Sequence, residues 1–255
     1  MARTFTYRAL VLQVRSSGES NREATFLTAE EGILRATLFG GPKSKLRAHV
    51  APFHSGTLYL YHDPVRDSRK VTDFDVRQWR PGIRESYERI LAANAMADTL
   101  LTAYGGGGNW KDAETLTLDA LDALEGADDD GAHRSMIRFL WIWTELSGLC
   151  PDLDSCGQCA CIAAADEVVY YSAADGMPYC ADCAAPLLRS PSEGLLPVGP
   201  GARRWLWTAR NLDARSSLRV GMDQKSSAQA KSLATEILAG ALGRRLSTWD
   251  ECGRA

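Results

Sequence analysis

Four cysteines arranged in two CxxC pairs constrain the fold of this 255-residue chain more than any other feature. Cys156 and Cys159 form the first pair, and Cys180 and Cys183 form the second after a spacer of 20 residues. A CxxC turn can point two thiolates at one ion, and four thiolates complete the tetrahedral shell of a structural zinc. The spacing therefore predicts one structural Zn²⁺, with the stretches EVVYY and MPYC forming a hairpin between the two pairs.

Other uses of these thiols fit less well. A redox CxxC needs only one pair and a thioredoxin-like βαβ setting, which the sequence lacks, although redox or unmetallated thiols stay open as an alternative. A zinc deaminase needs a His followed two residues later by Glu, and no histidine here has that partner. Cys161 is a spare fifth thiol that could substitute for Cys156 or Cys159, but it lies outside any CxxC turn. Cys150 and Cys252 are read as small apolar residues.

Residues 1–80 read as an all-β region. The stretches FTYRALVLQV, ATFLT, ILRATLF, GTLYLYH and KVTDFDVRQW alternate as strands do, and Gly32 in the turn AEEG suits a positive φ. Five short strands in eighty residues favour a small closed barrel of the OB type over a sandwich.

Helical periodicity begins after Gly82. Helices are predicted over ESYERILAANAMADTLLTAY, over 109–124, over HRSMIRFLWIWTELSGL and over 226–246, with GADDDG as a solvated acidic loop. The fold class is therefore α+β and multidomain, an OB-fold barrel followed by a helical bundle with an embedded four-cysteine zinc element. We divide the chain into a barrel (1–80), a first helical part (81–150), the zinc element (151–187) and a second helical part (188–255).

Charge is distributed unevenly along the chain. Residues 1–80 hold 13 Lys/Arg against 8 Asp/Glu, residues 81–187 hold 5 against 18, and residues 188–255 hold 11 against 6. The basic ends, rather than the acidic middle, are expected to meet a polyanion. The densest apolar run, FLWIW, is far shorter than the roughly 18 residues of a membrane helix. The N-terminal stretch is a poor signal peptide, so we expect a cytoplasmic protein without membrane association.

Basic residues of the barrel are the candidate nucleic-acid contacts. The loop GGPKSKLRAHV does not satisfy the P-loop pattern, so a nucleotide-phosphate cradle is not expected. A flexible basic loop between barrel strands suits a nucleic-acid backbone instead. The candidate DNA-binding residues are Arg15, Arg22, Arg35, Lys43, Lys45, Arg47, Arg66, Arg69 and Lys70. No acid/base pair or nucleophile elbow argues for catalysis, so we expect no enzyme activity.

Several motifs resemble the bacterial recombination mediator family RecO. They are LVLQVRSSGESNREATFLTAEEGILRATLFGGPKSK, APFHSGTLYLY, GLCPDLDSCGQC and YYSAADGMPYCADC, and they span residues 10–61 and 146–183. The four cysteines match the zinc-bearing branch of that family, whereas Cys161 departs from its pattern. The resemblance implies an OB-fold, a helical bundle and a zinc element.

The resemblance also implies a non-enzymatic function. Family members bind single- and double-stranded DNA, anneal complementary strands and help load recombinase onto DNA coated with single-strand-binding protein, in the RecF pathway. The implied partners are RecR and the acidic C-terminal tail of the single-strand-binding protein, and the implied location is the nucleoid. A basic-apolar segment would suit that tail, with the candidate residues Arg203, Arg204, Trp205 and Arg210. The alternative is a non-catalytic protein-interaction scaffold with an OB barrel and structural zinc.

Overall fold

The N-terminal region of this computed structural model is a closed five-stranded barrel. The structure describes residues 3–18, 21–39, 44–103, 109–189 and 194–253. The barrel strands are β1 (Thr4–Ser17), β2 (Asn21–Thr28), β3 (Gly32–Leu38), β4 (Ser55–Asp63) and β5 (Ser68–Gln78). All five coincide with the predicted strands, and the expected barrel is confirmed.

The strand order β1-β2-β3-β5-β4 closes because β1 is long enough to pair twice. Its first half pairs with β4 and its second half with β2, and a register shift between Val11 and Gln13 bends the strand between them. β3 and β5 are parallel, and every other pair is antiparallel. Alternate apolar residues fill the interior, where Phe26 and Phe74 pack with their ring centroids 6.0 Å apart.

A short helix, α1 (Lys45–His49), lies between β3 and β4. We expected a flexible basic loop here, and for Lys45 and Arg47 that expectation is wrong. The helix is held in place by its last residue, because His49 Nδ1 donates to the carbonyl of Phe74 at 3.2 Å and the His49 ring meets Trp79 edge-on.

Helices make up most of the chain after the barrel. They are a 3-10 turn (Pro81–Glu85), α2 (Tyr87–Thr102), α3 (Trp110–Leu124), α4 (Asp129–Leu146), α5 (Ala181–Leu187), α6 (Pro200–Asn211), α7 (Ala214–Leu218), α8 (Gln224–Leu242) and α9 (Ser247–Glu251). α4 packs against α2, α3, α6, α7 and α8 and is therefore the central helix of this part. Within the described residues, no helix combines the length and the apolar content needed to cross a bilayer.

The start of α4 corrects one prediction. Asp129 and Asp130 lie in its first turn rather than in a solvated loop, since the Asp128 carboxylate accepts from the Gly131 N–H and caps the helix. Negative charge is favourable at a helix N-terminus, so the acidic run begins the helix. The last long helix ends earlier than predicted, at Leu242, because Gly243 adopts φ +66° and closes it.

Two of the contacts that join the barrel to the helices involve Arg80 and Gly32. The buried Arg80 guanidinium donates to Asp122 Oδ1 at 2.6 Å and to the Phe53 carbonyl at 2.8 Å. On another side, Gly32 begins β3 with φ +68°, and the Trp110 indole lies where a Cβ at this position would stand. The barrel is therefore fastened to α3 through both a charged and an apolar contact.

Candidate metal centre and nucleic-acid interface

The four predicted cysteine ligands come together in the structure. One sulfur from each of Cys156, Cys159, Cys180 and Cys183 lies within 4.8 Å of the others, and Cys159 Sγ is 3.8 Å from Cys180 Sγ. Zinc–sulfur bonds of about 2.3 Å in a tetrahedron put neighbouring sulfurs about 3.8 Å apart. The sulfur positions thus fit one tetrahedral metal ion, and four thiolates would leave it no open coordination position.

Local backbone structure positions each cysteine pair. The first pair lies in a turn closed by the Ala160 N–H, which donates to the Cys156 carbonyl at 2.9 Å. Gly157 is required here because a Cβ would stand 2.6 Å from the sulfur of Met177. Cys180 is the N-cap of α5, and Cys183 lies in its first turn.

A three-stranded sheet connects the two pairs to the helical part. β6 (Val169–Ser172) and β7 (Met177–Tyr179) form the predicted hairpin. A third strand, β8 (Leu195–Val198), pairs with β6, although the sequence pattern predicts no strand here. Pro197 within the strand and the flanking Gly194 and Gly199 obscured a strand of only four residues. The metal centre therefore sits on a sheet continuous with the helical core.

The thiols differ in their affinity for protons. Burial raises the pKa of Cys156, but N–H donors from the backbone of Cys159, Cys180 and Gln158 outweigh burial and lower it to about 6. The pKa of Cys183 is raised, chiefly because its thiol shares a hydrogen bond with Cys180. Four thiolates this close repel one another, so full deprotonation requires a cation among them.

Cys161 lies beside the cluster but is not one of the four mutually close sulfurs. Its backbone carbonyl accepts from the Cys156 N–H at 2.9 Å, so its main chain supports the first turn. Hydrogen bonds with the thiols of Cys159 and Cys180 raise the pKa of Cys161 to about 12.

Arg203 anchors the metal-binding segment and is not available on the surface. It is 9% exposed, and Nη1 donates to the Ala164 carbonyl at 2.8 Å while Nη2 donates to Asp154 Oδ1 at 3.1 Å. Trp205 is also buried, and its Nε1 donates to the Val220 carbonyl. These two candidate partner-binding residues therefore support the fold, because they lie on the core-facing side of α6.

The outward side of α6 carries the remaining candidates. Arg204 and Arg210 are exposed, and Arg210 pairs with Glu145 at 2.7 Å. Trp207 lies between them and is 63% exposed. Trp207 is not among the residues predicted from the sequence, although a helical wheel of ARRWLWTARN separates it from the buried Trp205.

Strand register brings three of the candidate DNA-binding residues onto one outer face of the barrel. Arg15 pairs with Glu23, Glu23 with Thr37, and Thr37 with Lys70. Arg35 lies two residues before Thr37 on the same face. We call Arg15, Arg35 and Lys70 the basic row; all three are exposed. Phe39, also exposed, lies under Lys70 with Nζ 5.2 Å from its ring centroid.

The other candidates lie elsewhere on the barrel. Arg66 is exposed in the turn between β4 and β5, and Arg69 pairs in register with His62. Arg22 pairs with the core residue Leu38 and is half-buried. Lys45 and Arg47 lie on α1. Lys43 lies outside the described residues.

Comparison with known proteins identifies the family. The family model for the N-terminal part of recombination protein O matches residues 1–78, and the model for its C-terminal part matches residues 84–250. The DNA repair protein RecO of Rubrobacter xylanophilus is 29% identical over 76% of this chain and 75% of its own length. That of Pelotomaculum thermopropionicum is 29% identical over 69% of this chain and 67% of its own, and that of an Anaeromyxobacter species is 25% identical over 93% and 91%. Because the two family models together match most of its length, the chain belongs to the RecO family of DNA repair proteins.

Proposed function

We propose that this protein binds single- and double-stranded DNA through the outer face of its barrel and anneals complementary strands. The observation that carries this proposal is the basic row, in which strand register sets Arg15, Arg35 and Lys70 on one face. Cationic side chains there would neutralise phosphates and release their counterions. Two strands held on such a surface would approach each other without their full mutual repulsion.

The metal centre has a structural function in this proposal. The ion is Zn²⁺, held by Cys156, Cys159, Cys180 and Cys183, and it ties the hairpin β6–β7 to the start of α5. Four sulfur ligands suit zinc in a closed site, where the metal supplies folding free energy rather than a reactive water. The protein thus acts by binding rather than by catalysis.

Partner contacts would lie on the helical part. A partner with an acidic tail and an apolar end would meet Arg204, Trp207 and Arg210 on the outer side of α6, where charge and an exposed indole adjoin. We assign this surface to the tail of single-strand-binding protein, and we expect RecR as the further partner in loading recombinase. These activities would place the protein in the cytoplasm, at the nucleoid.

Salt-dependent binding of DNA tests the proposal. Affinity for labelled single and double strands should fall steeply between about 50 and 200 mM salt, with little dependence on sequence. Reversing the basic row with Arg15→Glu, Arg35→Glu and Lys70→Glu should weaken binding uniformly and reduce the salt slope by about two for single strands.

A matched control reverses three exposed charges of the C-terminal helical part, with Arg204→Glu, Arg219→Glu and Lys225→Glu. This variant has the same net charge as the first, and it should bind naked DNA nearly as well as the wild type. Equal losses in the two variants would mean that net charge, and not the basic row, determines binding.

A further inference from the structure

A groove opens at the rim of the barrel, beside the turn that joins β4 and β5. Its volume is about 180 Å³, well below the roughly 300–1,000 Å³ of sites for drug-sized ligands. Its lining consists of Phe5, Tyr7, Glu31, Leu60, His62 and Arg69. The groove can therefore hold one small planar group rather than an extended ligand.

Aromatic rings form one wall of this groove. Phe5 and Tyr7 are two residues apart on β1, and their rings are nearly parallel, 9° apart, with centroids separated by 6.3 Å. Phe5 pairs with Leu60 of β4 and Tyr7 pairs with Leu58, so both rings face the barrel interior. The apolar core ends at Leu60, however, and among the described residues no further core residue covers Phe5. Phe5 remains 37% exposed as a result. A ring left open at a barrel rim offers a stacking surface.

Hydrogen-bond donors and acceptors both surround these rings. Within the described part of the chain, the Arg69 side chain forms no hydrogen bond or ion pair, so its donors are available in the groove. The Glu31 carboxylate lies close to Tyr7 and, after burial, is the main cause of the raised pKa of that phenol. His62 is oriented by Asp67, whose Oδ1 lies 3.1 Å from His62 Nε2.

We propose that this rim groove binds one unpaired nucleobase, stacked on Phe5 and held at its edge by Arg69 and Glu31. A base edge presents both acceptors and N–H donors, which match a guanidinium and a carboxylate placed together. The Glu31 carboxylate disfavours an acidic peptide in the same place. Arg66 and Lys70 lie on the adjoining turn and strand, where they can contact the flanking phosphates. This inference rests on the proposed function and adds base contacts to it.

The test uses Phe5→Leu, which removes the ring and keeps an apolar side chain. Binding is measured by fluorescence anisotropy with single strands of deoxyuridine, with abasic strands of equal length and with duplex DNA. The wild type should bind deoxyuridine strands at least about five-fold more tightly than abasic strands, as expected for one stacked base. Phe5→Leu should abolish that difference and leave affinity for duplex DNA unchanged, because paired bases cannot enter the groove.

Two further arms make the result specific. Tyr87→Leu removes a ring that is 73% exposed on α2, and it should retain the preference for bases. Uridine strands show whether RNA as well as DNA supplies the base, and a ring-dependent preference with either strand supports the groove. Unchanged base preference in Phe5→Leu, with duplex binding intact, would overturn this inference alone. Failure of the wild type to bind any of these strands would instead overturn the proposed function.

Discussion

Five thiols lie close together in this protein, but they are not equivalent. Cys156, Cys159, Cys180 and Cys183 present mutually close sulfurs, whereas Cys161 joins the site through its backbone carbonyl. A substitution that changes only the Cys161 side chain preserves that carbonyl. The side chain of Cys161 is thus dispensable for the metal in our assignment, and that of Cys159 is not.

Cys161→Ser and Cys159→Ser form a matched pair of variants for this assignment. Cys161→Ser should retain one zinc per chain, because the tetrahedral set is untouched. Cys159→Ser should lose most of its zinc and much of the roughly 10 kcal/mol that a structural zinc supplies. Metal content measured by plasma mass spectrometry decides between the two positions, and equal zinc loss in both variants would place Cys161 among the ligands.

Glu114 gives the contact between barrel and helices a pH dependence. Its side chain is buried, Oε1 has no hydrogen-bond partner, and Arg8 Nε approaches only to 4.0 Å. Burial raises the pKa of Glu114 above its ordinary value of 4.5, although Arg8 partly opposes this. The folded state then holds the proton more tightly than the unfolded state, so this residue lowers stability as the pH rises above 4.5.

Glu114→Gln should therefore stabilise the protein more at pH 8 than at pH 4. The neutral amide has no charge to desolvate, and we expect a gain of about 1 kcal/mol at pH 8. Urea unfolding of variant and wild type at both pH values measures the difference. A gain that is the same at both pH values, or that is larger at pH 4, would contradict the assignment.

The role of a single residue could be predicted from the sequence where its spacing from other residues determines the geometry of the site. The two CxxC pairs predict the cluster of four cysteines because four metal ligands must converge on one point. Arg203 and Trp205 were misplaced because a basic-aromatic composition does not say which side of a helix faces the core. The exposed rim ring of Phe5 was missed for a related reason, since alternation predicts that it points inward but not that the core ends before it.

At the level of elements, Gly32 shows how a turn is matched to a neighbouring helix. Its φ of +68° suits glycine, and the Trp110 indole would lie 2.4 Å from an added Cβ. Gly18 has the same φ of +68° with open space around it. A side chain at position 18 would therefore cost only the free energy of the backbone conformation. A side chain at position 32 would cost the same and also clash with Trp110.

Alanine at each position tests this distinction. Gly18→Ala should cost about 1 kcal/mol, the usual penalty for a left-handed non-glycine residue. Gly32→Ala should cost about 3 kcal/mol or more, because the barrel must also move away from α3. Thermal unfolding of both variants measures the two costs, and similar losses would show that the contact with Trp110 adjusts without penalty.

Elements with a strong period were found from the sequence, and weakly patterned ones were not. The barrel strands and α3, with its cap at Asn109, follow alternation and capping rules closely. α1 and β8 are short, so neither shows enough of a period to be distinguished from a turn. The prediction of a loop at the acidic start of α4 was wrong because a run of charged residues is typical of a solvated loop. The same negative charges also stabilise the N-terminus of a helix, through its dipole.

At the scale of the whole molecule, the charge partition follows the architecture. The basic N-terminal region is the barrel, and the acidic middle contains α2, α3, α4 and the metal segment. A cationic barrel on a more acidic helical part would orient DNA toward one side of the protein. The sequence predicted this partition of charge along the chain. Only the strand register, however, shows which of the charged residues share one face of the barrel.

The most direct measurement is the annealing of complementary oligonucleotides coated with single-strand-binding protein, with and without this protein. We expect the wild type to accelerate annealing at low salt, and the variant with Arg15→Glu, Arg35→Glu and Lys70→Glu to lose most of that acceleration. In the same assay with uncoated strands, the control with Arg204→Glu, Arg219→Glu and Lys225→Glu should retain the acceleration that the variant of the basic row loses. An annealing rate that is unchanged by the wild type, or that is unaffected by reversing the basic row, would contradict the proposal that this face of the barrel brings DNA strands together.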